Sequence, residues 1–157
     1  MKIRKANANN RKKEFEITTY NGSHFSFPYS NAELVPTSKN KITELYVDEE
    51  LANEAITYVL ESGDEGTIHV EQFLDYNEDP AYMADLLMYK LSLEARRNLE
   101  NSGLSIRHVA SRLNTSVPQL YRLLDAQKTN KSMTQLIKLL HVLELDVDLV
   151  VKKRAAN

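Results

Sequence analysis

The chain has 157 residues, 42% apolar and 27% charged, the balance of a folded globular protein. It has no cysteine, which excludes disulfides, thiolate metal sites and a cysteine nucleophile. The formal net charge of -2 hides strong segregation: residues 1–13 carry six Lys/Arg and no acid, whereas residues 42–79 carry twelve carboxylates and no Lys or Arg. Residues 101–139 carry six Lys/Arg against Asp125 alone. No apolar run approaches the roughly 20 residues that span a bilayer. The basic start, Met1-Lys2-Ile3-Arg4-Lys5, lacks the apolar run of a signal peptide. A cytoplasmic protein without a membrane partner is expected.

Residues 1–13 are polar, basic and aperiodic, and read as a flexible arm. Phe15-Glu16-Ile17-Thr18-Thr19-Tyr20 then runs into Asn21-Gly22, and Phe25-Ser26-Phe27 returns with alternation, the signature of a β-hairpin. Pro28 and Pro36 bracket a loop, and Ile42-Thr43-Glu44-Leu45-Tyr46-Val47 is a third strand candidate. Residues 48–71 leave two readings open. Leu51, Ala52, Ala55, Ile56, Val59 and Leu60 fit a helical face capped by Asp48. The β-rich Ile56-Thr57-Tyr58-Val59-Leu60, turned by residues 63–66 into Thr67-Ile68-His69-Val70, fits a second hairpin, which is preferred. Residues 14–78 thus read as a β-rich acidic segment for dimerisation or partner binding.

At Asp79-Pro80 the pattern changes to helical. Asp79 is a good N-cap, and Pro80 stands at a first-turn position where its missing N–H costs nothing. Met83, Leu87, Leu91, Ala95 and Leu99 recur every four residues, flanked by Leu86, Met88 and Leu93, and predict a long linking helix ending near Gly103. Ser105 then caps a short helix over residues 106–113 with Ile106, Val109, Ala110 and Leu113 inward. Ala110 is small enough for a close helix crossing. Asn114 sits where a left-handed residue is needed, and Asn tolerates that conformation well. Ser116 caps a second helix to Asp125, with Leu120, Leu123 and Leu124 inward and Pro118 harmless near its start.

These residues resemble the phage-repressor-like, or Xre-type, helix-turn-helix DNA-binding domains. The stretch from Ser105 to Ser116 is similar to their first helix and turn, and Val117-Pro118-Gln119-Leu120-Tyr121-Arg122-Leu123-Leu124-Asp125 to their recognition helix. Lys131 to Leu143, with Ser132 as cap, is similar to the next helix. Asp146-Val147-Asp148-Leu149-Val150-Val151 is similar to the C-terminal strand of antitoxin-type members. Asn114 stands where that family usually has Gly. The resemblance covers roughly residues 80–151 and implies double-stranded DNA as partner and a homodimer acting in transcription regulation.

The expected architecture is α+β: an N-terminal antiparallel β segment, a long linking helix, and a helix-turn-helix bundle over residues 79–151 with a closing strand. A basic tail, residues 152–157, follows. Pro118, Gln119, Tyr121 and Arg122 are the expected base contacts; Gln can pair with adenine and Arg with guanine in bidentate fashion. Arg107, Arg112, Thr115, Ser116, Lys128, Lys131 and Lys138 are the expected phosphate contacts. The alternative function is an antitoxin-like interaction module whose acidic residues 42–79 cover a basic, toxin-like protein. The histidines are scattered and no phosphate loop is present, so neither an enzyme, a metal site nor a cofactor is expected.

Overall fold

In the computed structural model, which describes residues 1–153, the first thirteen residues are a strand and a turn, not a flexible arm. Strand β1 (Ile3–Asn9) pairs antiparallel with β2 (Glu14–Thr19), which pairs with β3 (His24–Pro28). Ile3, Ala6 and Ala8 face inward, while Asn7 and Asn9 donate side-chain hydrogen bonds to Glu16 at 3.1 and 2.7 Å. Small inward and amide outward side chains make an alternation that hydropathy alone does not display.

The expected hairpin is observed in register, with Phe15 opposite Phe27 and Ile17 opposite Phe25. Its tip is the connection of residues 20–23, in which Gly22 takes φ 87°, a conformation glycine adopts without steric cost. A second antiparallel sheet follows, β4 (Ile42–Val47), β5 (Ala55–Leu60) and β6 (Glu65–His69), in that order. Residues 48–71 therefore contain the preferred hairpin. Gly63 takes φ 87° in its turn. Gly66 has another reason to be glycine: a Cβ there would lie 2.3 Å from the buried Tyr58 ring.

Val70, expected at the end of a strand, instead opens a short helix, α1 (Val70–Tyr76), where the His69 N–H donates to Gln72 Oε1 at 2.9 Å. Both sheets and α1 share one core built on Phe15, Ile17, Phe27, Ile56, Tyr58, Ile68 and Phe73. Phe15 packs its ring 4.6 Å from Tyr29 and 4.8 Å from Tyr58, within the range where tilted aromatic pairs gain beyond area burial. These elements form one compact unit, residues 1–82.

The second unit, residues 83 onward, is helical. Helix α2 (Pro80–Ser102) starts as expected, with the Tyr82 N–H donating to Asp79 Oδ1 at 2.9 Å. Its buried line is Met88, Ser92, Ala95 and Leu99, whereas Met83, Leu87 and Leu93, expected inside, are exposed. Helices α3 (Ile106–Arg112), α4 (Val117–Leu124) and α5 (Met133–Val142) follow, packed around Val109, Ala110, Leu120, Leu136 and Leu139.

The expected fold class is overturned in two places. Six strands in two antiparallel sheets precede the helices, and they incorporate the expected arm. The closing strand over Asp146 to Val151 does not form: the segment has no regular structure, and Leu149, Val150 and Val151 are more than 70% exposed. The reason is pairing. No other described residue from 83 onward is in a strand, and a lone strand leaves its own backbone groups unsatisfied. Of the expected tail, Lys152 and Lys153 are exposed, and residues 154–157 lie outside the described residues.

Candidate nucleic-acid interface

Helices α3 and α4 are joined by residues 113–116, and each junction is set by a named residue. The Ser105 hydroxyl accepts from the His108 N–H at 3.2 Å and starts α3. Asn114 at φ 53° ends it. The Thr115 N–H reaches the Ala110 carbonyl and the Asn114 N–H the Ser111 carbonyl, each at 3.0 Å, the paired closure of a helix that ends in a left-handed residue. The Ser116 hydroxyl then accepts from the Gln119 N–H at 3.3 Å and starts α4, and the Ser132 hydroxyl does the same for Gln135 and α5.

With Leu120, Leu123 and Leu124 buried, α4 turns Pro118, Gln119 and Arg122 to solvent. Among the described residues Arg122 makes one long contact, from its guanidinium to the Asn130 carbonyl at 3.5 Å, which leaves its fork open to a ligand. Beside it lies a cleft of about 310 Å³ lined by Thr115, Gln119, Arg122, Lys131, Ser132 and Gln135. Four of the expected contact residues meet there. Ser132 and Gln135 were not among them, although their S-x-x-Q spacing at the start of α5 is legible in the sequence.

One expected contact is placed elsewhere, and one at the cleft has its ammonium turned away from solvent. Tyr121, 58% exposed, lies on the other flank of α4 and lines a separate cleft of about 600 Å³ with Leu99, Leu104, Ile106 and Leu124. It does not share a face with Arg122. Lys131 points inward: its ammonium donates to Ser92 Oγ at 2.7 Å, the Leu123 carbonyl at 2.9 Å and the Asp125 carbonyl at 2.7 Å. All three N–H donors are used, two of them on carbonyls at the end of α4, where a cation also meets the negative end of the helix dipole. Burial pushes this lysine below its usual range; Asp125 draws it back up and Lys128 adds to the fall. It is a tie between α2 and α4, not a phosphate contact.

Of the remaining expected phosphate contacts, Arg107 and Arg112 stand on α3, Lys138 on α5, and Lys128 and Ser116 beside α4. Arg107, Arg112 and Lys138 are exposed and have no ion pair among the described residues. Lys128 Nζ sits 3.6 Å from Asp125 Oδ2, an exposed pair of small worth. Ser116 is occupied as a cap, but its position keeps its hydroxyl at the solvent edge. The sole carboxylate of residues 101–139, Asp125, is engaged by Lys128 and by the Gln127 N–H at 3.1 Å. No helix among the described residues is long and apolar enough to cross a membrane. No protein-family model, curated protein or solved structure matches this chain.

Proposed function

We propose that the chain binds double-stranded DNA through α3 and α4, with α4 entering the major groove and Arg122, Gln119 and Pro118 meeting base edges. The observation that carries this reading is the solvent face of α4. It presents an open guanidinium and an amide side by side, in a stretch of 39 residues whose one carboxylate is already engaged. Arg and Gln are the side chains able to grip two acceptors or an acceptor and a donor on one base. Arg107, Arg112, Lys128 and Lys138 supply phosphate contacts that position the helix without reading sequence. The chain acts as a homodimer on two half-sites about one helical turn apart, because a single such helix offers few contacts. Its role is transcription regulation, in line with the resemblance to Xre-type domains.

The experiment is a selection of bound fragments from a random DNA pool, followed by titration of the selected site. Affinity should fall steeply as salt rises from about 50 to 200 mM, since released counterions drive binding. Arg122→Ala should cost about 1–3 kcal/mol on the selected site and relax preference at one base pair per half-site. Lys138→Ala should weaken all sequences alike. Binding that is flat with salt, or an Arg122→Ala protein that reads every sequence as the parent does, would refute the reading.

A second reading keeps one observation of its own. Ten of the twelve carboxylates in residues 42–79 are exposed, with Asp48 and Asp79 half-buried. Such a surface fits a basic, toxin-like protein, and both roles can reside in one chain. A salt-sensitive complex with a small basic protein encoded beside this chain tests it.

A further inference from the structure

The first unit contains a cationic cleft that the DNA reading does not use. It measures about 850 Å³ and is bounded by the β1–β2 turn on one side and the loop before β4 on the other. A volume of that order suits an organic ligand and exceeds what a bare phosphate needs. Lys12, Lys13 and Lys41 line it, and no carboxylate does. Lys12 is engaged by Glu14 at 3.3 Å and Glu16 at 3.9 Å. Among the described residues Lys13 and Lys41 have no ion pair, although residues 42–79 of the same unit carry twelve carboxylates. The cleft therefore presents two ammonium groups without a carboxylate partner among the described residues.

Lys13 adds a second mark. It is held at φ 57°, a region where glycine is the ordinary choice and a lysine is strained. Its carbonyl accepts from the Tyr29 N–H at 2.9 Å, so the turn is fixed against the cleft wall. Any need for that backbone shape would be met by glycine at lower cost. What lysine contributes is the ammonium.

The rest of the lining divides by chemistry. Thr37 and Ser38 offer hydroxyls with no partner among the described residues, and Asn10, whose Oδ1 accepts from the Tyr29 hydroxyl at 3.1 Å, keeps its Nδ2 donors free. Pro28, Val35 and Pro36 give apolar walls, and Val35 is 45% exposed. A doubly charged phosphate matches two ammonium groups and hydroxyl donors, and a flat ring matches the apolar walls. We propose that this cleft binds a nucleotide, its phosphate between Lys13 and Lys41 and its base against Val35 and Pro36. The nucleotide is either free or one unit of a single strand.

The test uses the full chain labelled with ¹⁵N, titrated with AMP, with inorganic phosphate and with a single-stranded oligoadenylate. AMP should shift the amides of residues 10–13, Val35 and residues 37–41 saturably, at least tenfold more tightly than inorganic phosphate. Oligoadenylate tighter than AMP identifies a strand, and AMP alone identifies a free nucleotide; both support the cleft. Lys13→Gly removes the charge and the backbone strain together, so it should fold at least as stably as the parent and bind AMP at least fivefold more weakly. Lys41→Gln should weaken AMP likewise, and Arg122→Ala should leave it unchanged. No saturable shifts, equal affinity for AMP and inorganic phosphate, or undiminished binding by Lys13→Gly would overturn the proposal.

Discussion

Gly66 shows how a single missing methyl holds the first unit together. Tyr58 is fully buried, and its hydroxyl donates to the Leu34 carbonyl at 2.7 Å, so its ring has no room to swing away. Gly66→Ala places a Cβ 2.3 Å from that ring. The substitution should destabilise the protein by about 1–3 kcal/mol through overpacking, read as a lowered midpoint in urea; an unchanged midpoint would mean the ring is free to yield. Lys131 plays the corresponding part in the second unit. Lys131→Met keeps most of the stem but leaves Ser92, Leu123 and Asp125 without their donor. Stranding such groups costs about 1–3 kcal/mol. The variant should therefore melt lower, and any loss of DNA affinity should track the fraction unfolded. A stable protein with weakened binding would instead make Lys131 the phosphate contact that its charge suggested.

At the scale of elements, what was legible in the sequence was what one residue decides locally. Asp79, Ser105, Ser116 and Ser132 cap helices, Asn114 takes the left-handed position, and Phe15, Ile17, Phe25 and Phe27 alternate across a hairpin. The outward placement of Pro118, Gln119 and Arg122 on α4 followed from the same helical phase, whereas Tyr121 lies on another flank. What was not legible depends on partners distant in the chain. Strand β1 is held by amides reaching Glu16 and by Ile3, whose N–H donates to the Asn53 carbonyl at 2.7 Å, so composition alone described it as an arm. Lys131 is held by the Ser92 hydroxyl and by two carbonyl oxygens, which every residue type possesses. The segment from Asp146 errs in the other direction: β-prone residues do not make a strand without a neighbour to pair with. Its one side-chain hydrogen bond among the described residues is local, Leu149 N–H to Asp148 Oδ1 at 3.1 Å. Removing residues 146–157 should leave thermal stability within about 0.5 kcal/mol of the parent, as for surface changes. A clear fall in the melting temperature would show that the segment does pair.

At the scale of the molecule, charge and core are partitioned along the same line. The buried residues of the first cluster fall between Ile3 and Leu74, those of the second between Met88 and Leu143, and neither cluster contains a buried residue of the other. The acidic surface belongs to the first unit, and the one-carboxylate stretch around α3 to α5 belongs to the second. A separable core predicts a separable fold, because apolar burial is what offsets chain entropy and each unit has its own supply. A fragment of residues 79–157 retains Asp79, and with it the cap of α2, together with every member of the second cluster. It should give a helical circular dichroism spectrum and unfold cooperatively, and a fragment of residues 1–82 should fold as a β-rich unit. The helical fragment should also hold the selected DNA site, more weakly than the full chain if the first unit contributes to dimerisation. Cooperative folding without DNA binding would remove α4 as the reading helix while leaving the division of the core intact. An unfolded helical fragment would show that the two clusters, distinct as they are in residues, depend on one another for stability.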